Sequence, residues 1–369
     1  MNSILDKAVN LYNLDGFKFD QVAGHDGGRN LVYVCSKNDL KEYVLRISAL
    51  GDRSEEEYLA ETEFVHYLAE NNAPVADVIP SKNGKLVEIL EIDDTTDFRS
   101  NDPENIEIVS SEPSNDKEFE DDRFSHKENL NICYISLFKY AKGILLWENG
   151  YRYREGAPIS ELFYNMGKTI GVIHRLSKSF NPKYRRAEYF DKYNMEYIGK
   201  VIPDDYSELK KAISTRLEEF RNLPMDKDSY GLVHFDFSDG NYHVDMSNGN
   251  ITTFDFDNCI YCWYMFDLAH LWTHGVGWCQ FEPDGEKRLE YMKNEYFAKI
   301  LEGYRSETDV PGELLDKLIL FIDMVLIEGV VDEFECAARE GEEPDPEDID
   351  DYVKCLIEDI PYAGVGVDL

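Results

Sequence analysis

No run of eighteen apolar residues occurs in the 369-residue chain, so no membrane-spanning helix is expected. The opening stretch MNSILDKAVNLYNLDGFKFD lacks a basic n-region and an apolar h-region, so no signal peptide is expected and a cytoplasmic location is. Positive charge is scarce as well. Lys and Arg total 38 against 74 Asp and Glu, and the resulting net charge of −36, with no clustered Lys/Arg stripe, argues against nucleic acid as a ligand. The acid is spread along the chain, which reads mainly as solubility and is compatible with a cationic substrate. Cysteine is sparse, odd in number and scattered (Cys35, Cys133, Cys259, Cys262, Cys279, Cys336, Cys355), which suits buried reduced thiols and excludes a disulfide framework. What is plentiful is apolar: 43% hydrophobic and 13% aromatic residues are enough for two packed lobes.

Residues 16 to 50 read as short strands, FKFDQVA, NLVYVCS and EYVLRIS, separated by turn residues. Ser54 to Glu70 reads as an amphipathic helix, with Ser54 and Glu57 as a capping box. Val78 to Ile92 returns to strand pattern with Asn83-Gly84 as a hairpin turn, and YISLFKY adds a strand at Tyr134 to Tyr140. Between them, Asp93 to Asn129 is acidic and poor in apolar periodicity. It reads as a long inserted loop in which IEIVSS can form an edge strand. From residue 141 onward helical stripes dominate: ISELFYNMGKTIGVIHRL, Tyr206 to Phe220, Arg288 to Tyr304, Glu313 to Ala338 and Pro346 to Glu358. Short strands at Leu232 to His234, Tyr242 to Val244 and Ile251 to Phe254 interrupt them, and Asn248-Gly249 joins the last two as a hairpin. The fold class expected is α+β, with a small antiparallel-sheet lobe and a larger, mainly helical one.

The chemistry concentrates in the strand-rich segment His234 to Asp257, where Asp236 is followed by Asn241 and then by Asp255. An Asp meeting an acceptor hydroxyl, an Asn binding Mg2+ and a second Asp holding metal against ATP phosphates occur in this order in phosphotransfer sites. Phosphoryl transfer asks for an aligned hydroxyl, neutralised phosphate oxygens and closely held metal, which two carboxylates and an amide supply. Each residue alone is more often a turn former. Asp236 and Asp255, however, both follow apolar strand runs, GLVHF and ITTF, so their carboxylates are expected to emerge from neighbouring strand ends. His234 reads as a structural residue that holds the catalytic loop through a hydrogen bond to backbone. A competing pattern is Cys259-x-x-Cys262 followed by His270 and His274, zinc-ligand types at a shorter spacing than in common fingers.

These motifs, HFDFSDGN at His234 to Asn241, FDFDNC at Phe254 to Cys259 and FDLAHL at Phe266 to Leu271, resemble the aminoglycoside phosphotransferase and choline kinase-like family. The resemblance covers most of the chain and implies a two-lobed protein-kinase-like fold. It implies a nucleotide-binding lobe at 1–140 carrying the acidic insertion at about 93–129, and a catalytic and substrate-binding helical lobe at 141–369. It further implies catalytic Asp236, metal-binding Asn241 and Asp255, and a structural Asp267 that ties down the catalytic loop. Asp257, where protein kinases carry the glycine of Asp-Phe-Gly, is expected as a second metal carboxylate. Phe235 departs from the family's His-Gly-Asp.

In the first lobe, Arg46 stands where the family usually has its phosphate-binding lysine, and Glu61 matches the helix glutamate that pairs with it. GHDGGRN at Gly24 to Asn30 lies like a phosphate-covering loop. The stretch Lys139, Tyr140 and Ala141 is expected to meet the adenine edge through its backbone. The function implied is transfer of the γ-phosphoryl group of ATP (or GTP), with Mg2+, to a hydroxyl of a small molecule, with an aminoglycoside, choline or homoserine type of acceptor. Trp263, Trp272, Trp278 and the acidic stretch Glu328 to Glu335 are candidates to surround it, although tryptophans at these spacings are more often core. The rival readings are a non-catalytic binding protein of the same fold and a protein kinase; no Ala-Pro-Glu segment follows Asp255, which disfavours the latter.

Overall fold

The computed structural model describes residues 3–22, 30–48, 53–91 and 132–362. Residues 24–29 of GHDGGRN and the whole insertion at 93–129, IEIVSS included, lie outside the described residues. The chain divides into two compact units. One comprises Met1–His66, Ala76–Tyr140 and Pro182–Arg185, the other Tyr67–Val75, Ala141–Asn181 and Arg186–Leu369. No helix among the described residues is long and apolar enough to cross a membrane, and all seven cysteines are free thiols.

The first unit is an antiparallel sheet with helices. Strands β1 (Lys18–Gln21), β2 (Asn30–Lys37), β3 (Leu40–Ser48), β4 (Val78–Ile79), β5 (Glu88–Glu91) and β6 (Ile132–Lys139) run in the order β1-β2-β3-β6-β4, with β5 also on β6. Asn38 and Asp39 turn the β2–β3 hairpin at φ 52° and 63°, the left-handed pair that matches strand twist and that Asn and Asp tolerate. The Asn83-Gly84 turn forms, with Gly84 at φ 75°, yet β4 and β5 do not pair with each other as expected. Both take the same edge of β6, at Leu137 and Phe138 and at Ile132 to Ile135, because each is too short to leave that edge covered by the other.

Helix α1 (Ser3–Tyr12), absent from the sequence reading, buries Ile4, Leu5, Ala8 and Tyr12 against Leu45, Ile47, Ile135 and Leu137 of the sheet. A fully buried aliphatic side chain of this kind contributes about 1.5–3 kcal/mol. Helix α2 (Glu55–Glu70) starts at the expected capping box: the Ser54 N–H donates to Glu57 Oε2 at 2.9 Å and the Glu57 N–H donates back to Ser54 Oγ at 3.3 Å.

The second unit is mainly helical. The stripe Leu162, Phe163, Met166, Ile170 and Ile173 is buried along the helix Ile159–Ser177, which crosses the helix Ala298–Arg305 at two glycines. A Cβ on Gly167 would sit 1.9 Å from the Ile300 carbonyl oxygen, and one on Gly303 would sit 1.9 Å from that of Tyr164, so only glycine allows this backbone approach. The stripe expected at Glu313 to Ala338 is broken, forming Gly312–Leu315 and Leu318–Glu340. Strands β7 (Tyr230–Val233) and β10 (Ile260–Trp263) pair, as do β8 (Tyr242–Val244) and β9 (Ile251–Thr253), all antiparallel. These two ribbons carry the loops that hold the site.

Candidate active site

Asp236 follows β7, and Asn241 directly precedes β8, so both lie on the loop 234–241. The Asn241 side-chain N–H donates to the Asp236 carbonyl at 2.8 Å, the Ser238 N–H donates to the same carbonyl at 3.0 Å, and the Asn241 N–H closes the turn on the Ser238 carbonyl. With its NH2 group turned inward, Asn241 is left with its amide oxygen as the end that can receive a cation. The Asp236 carboxylate also accepts from the Asn241 and Asn258 side chains. Burial pushes this carboxyl up to about 6, the Asp257 charge adds to the rise, and His274 with the two amides opposes it.

Asp267, fully buried in the first turn of the helix Met265–Trp278, fixes the start of the loop. Its Oδ2 accepts the His234 N–H and its Oδ1 the Phe235 N–H, both at 2.9 Å. A third donor is His174, whose Nε2 lies 3.0 Å from Oδ2 and whose Nδ1 lies 3.1 Å from the Tyr304 hydroxyl. Complete burial pushes His174 below its ordinary value, so the ring is neutral. It donates to Asp267 and accepts from Tyr304. Burial alone would raise the Asp267 carboxyl; the His174 hydrogen bond and the field and N–H of His234 more than offset it and hold Asp267 low. His174 was missed in the sequence because it falls on the apolar face with Ile170 and Ile173. A histidine on such a stripe was the available signal.

The second loop leaves β9 through Asp255, which is exposed and held at φ 61°. The His234 Nε2 donates to the Phe254 carbonyl at 3.1 Å, which joins the two loops through a fully buried ring. The Arg186 guanidinium, 3% exposed, donates to the carbonyls of Asp257 and Cys259, another clamp that the sequence reading missed. Phe235 sits at φ 71°, a backbone that suits glycine and costs other residues about 1–3 kcal/mol. Its ring stacks face to face on Phe266 at 4.1 Å and 6°, and this buried contact is what a glycine would forgo.

In the first unit, Arg46 on β3 is 6% exposed and donates both arms to Glu61 of α2, at 2.8 and 2.6 Å. A surface strand charge is thereby excluded. The Lys139 N–H donates to the Asp77 carbonyl and the Tyr140 N–H to the Glu42 carbonyl, while the Ala141 carbonyl accepts from His243 Nδ1 at 2.8 Å.

Two competing readings are settled. Among the described residues no three His, Cys, Asp or Glu converge as a metal cluster, so Cys259, Cys262, His270 and His274 form no zinc site. Trp263 and Trp272 are 0% and 5% exposed, with their indole N–H groups bonded to the Pro224 and Tyr362 carbonyls, so both are core residues. Trp278 is half-buried.

Comparison with known proteins bears on the family and the fold. The family model described as the phosphotransferase enzyme family matches residues 21–109 and 123–305. Amicoumacin kinase of Bacillus subtilis (strain 168) is 28% identical over 298 residues, covering 80% of this chain and 74% of that protein. A solved amicoumacin kinase in complex with AMP-PNP, Ca2+ and Ami is 22% identical with a TM-score of 0.71, over 97% of this chain and 93% of its own. The structure of a microcompartment-associated aminopropanol kinase is 16% identical with a TM-score of 0.61, over 98% and 99%. Both structures share the two-lobed kinase-like fold. A sheet unit, a helical unit and a family match spanning both loops lead to one conclusion: the chain belongs to the phosphotransferase enzyme family and is a small-molecule kinase.

Proposed function

We propose that this enzyme transfers the γ-phosphoryl group of ATP, with Mg2+, to a hydroxyl of an amino-bearing small molecule, and that Asp236 aligns that hydroxyl. The observation that carries the reading is the Asp236 carboxylate, half-buried and held by two amides on a loop whose first residues are pinned by Asp267. A carboxylate so fixed accepts the acceptor's O–H hydrogen bond without reorganising.

The Asn241 amide oxygen and the Asp255 and Asp257 carboxylates are hard oxygen donors of the kind Mg2+ takes while keeping several waters, so the donor set fits. Bound there, Mg2+ neutralises charge on the transferring phosphoryl oxygens. The similar amicoumacin kinase, solved with AMP-PNP and Ca2+, supports a nucleotide and a divalent cation as ligands. Arg46, oriented by Glu61, is the proposed cation for the nucleotide phosphates, and its fork suits a phosphate oxygen pair. His234 and Asp267 hold the loop that presents Asp236. Amicoumacin and aminopropanol, named for the relatives, support an acceptor that carries an amine, and the net charge of −36 favours a cationic one.

The test is product detection by mass spectrometry with Mg-ATP and a panel of amicoumacin, 1-amino-2-propanol, choline and spectinomycin, comparing wild type with Asp236→Asn. Wild type is expected to phosphorylate at least one acceptor, and Asp236→Asn to do so about 10²–10⁴-fold more slowly while still binding nucleotide. Equal rates would remove Asp236 from its role. No product across the panel would remove the acceptor class.

A further inference from the structure

One face of the helix Met265–Trp278 carries a stripe that the reaction above leaves without a task. His270, His274 and Trp278 recur at every fourth residue and so share a face. The His270 and His274 rings lie 4.5 Å apart, centroid to centroid. His270 is 8% exposed; one ring N–H bonds the Phe237 carbonyl on the Asp236 loop, and Nδ1 has no hydrogen-bond partner. An imidazole that donates from one nitrogen presents a lone pair at the other. In this helix a buried lone pair therefore lacks a donor, and the adjoining polar group is His274.

His274 is exposed, although Thr273 and Gly275 on either side are buried. Its electrostatic partners are Asp236 and Asp239, both on the loop 234–241. Tyr151, 52% exposed, bonds Asp239 through its hydroxyl and sets its ring edge-on to Trp278 at 5.8 Å. Asp236, Asp239, Tyr151, His274 and Trp278 thus assemble a solvent-reachable group of polar and aromatic side chains around the proposed catalytic carboxylate.

We propose that His274 binds the acceptor, taking a second N–H or O–H of the molecule whose hydroxyl Asp236 aligns. The inference rests on the Asp236 reading above and extends it to the acceptor's chemistry. His270 is a positioning residue. Its Nδ1, without a partner in this structure and on a ring 4.5 Å from that of His274, is assigned to take the N–H of His274 when the acceptor binds, which leaves the other nitrogen of His274 as the lone pair for the acceptor. The ligand that fits is an alcohol with a further hydrogen-bond donor near the reacting hydroxyl, and the ring of Trp278 offers a face for its carbon skeleton.

The experiment is steady-state kinetics with amicoumacin and 1-amino-2-propanol for wild type, His274→Ala, His274→Gln, His270→Phe and the double variant His270→Phe/His274→Ala. His274→Ala is expected to lower kcat/KM for the acceptor about 10- to 100-fold, the scale of one hydrogen bond to a polar group. The KM for Mg-ATP should stay within about twofold of wild type, since only acceptor contacts are removed. His274→Gln, whose amide oxygen replaces the lone pair, should recover much of the loss. His270→Phe should lower acceptor kcat/KM, and the double variant should be no slower than His274→Ala, because His270 acts through His274.

An acceptor kcat/KM within about twofold of wild type for His274→Ala would overturn the proposal, as would an equal loss in nucleotide affinity. If wild type phosphorylates neither acceptor, the acceptor class of the proposed function fails. His274 is then judged by hydrolysis of Mg-ATP, where water supplies both O–H groups. Hydrolysis slowed about tenfold or more in His274→Ala supports the role, and unchanged hydrolysis ends it.

Discussion

Glu61 in the first unit and Asp267 in the second are both fully buried carboxylates, yet they are satisfied in opposite ways. Glu61 faces a permanent cation, taking both arms of Arg46 at 2.8 and 2.6 Å. Asp267 accepts two backbone N–H groups and the N–H of neutral His174. The first arrangement fixes a movable side chain, so the guanidinium of Arg46 is held in place. The second fixes backbone, so the loop that bears Asp236 is held in shape. A buried carboxylate balanced by a guanidinium relies on an opposite charge, whereas one balanced by neutral donors shares its cost among several groups that would otherwise be orphaned themselves.

The comparison can be broken by substitution. Asp267→Ala is expected to cost about 3–9 kcal/mol in urea unfolding, from ~1–3 kcal/mol for each of the two orphaned N–H groups and for the freed His174. Glu61→Ala removes the carboxylate that takes both arms of buried Arg46 and is expected to cost about 3–4 kcal/mol. If Glu61→Ala proved the more damaging of the two, the contrast drawn above would be reversed.

Acid sharpens the contrast. His174 is pushed below its ordinary value in the folded state, so its contribution is present above pH ~6.5 and is lost as pH falls, while the unfolded chain takes up the proton. Asp236 and Asp323, both raised to about 6 by burial, act in the opposite direction between that value and the ordinary Asp range. The histidine contribution is therefore isolated by difference. The cost of His174→Gln in urea unfolding should be smaller at pH 5 than at pH 7 by about 1–2 kcal/mol, and a cost that grows on acidification would refute the neutral ring. The smallest effect is expected for Arg46→Lys, which keeps the charge and loses the fork: about 1 kcal/mol by the same measurement.

Much of this site was legible because its residues act close to one another in sequence. Asp236 and Asn241 share one loop, so their spacing carried the message, and Ser54 with Glu57 announced a capping box that formed as read. Arg46 and Glu61 were paired by resemblance, and the sheet and helix place them together. Residues that act at long range were not legible. His174 reaches Asp267 across 93 positions, and Arg186 reaches Asp257 across 71. Neither has a local pattern, since an apolar stripe tolerates a histidine and a loop tolerates an arginine. The tryptophans had two readings for a related reason: aromatics beside acidic residues in sequence suit either a cation site or a core, and only burial shows Trp263 and Trp272 to be core.

The sequence by itself determined the alternation of strand and helix, the order Asp236, Asn241, Asp255 on which the proposed function rests, and the charges Arg46 and Glu61. Hydrophobic period and turn chemistry are properties of neighbouring residues, and so they are written locally. Tertiary structure alone decided that β4 and β5 share one edge of β6, that Asp267 serves two N–H groups, and that His270 is buried with an unpartnered Nδ1 and its ring 4.5 Å from that of His274. Each depends on where water is excluded, and that is settled only when distant segments pack.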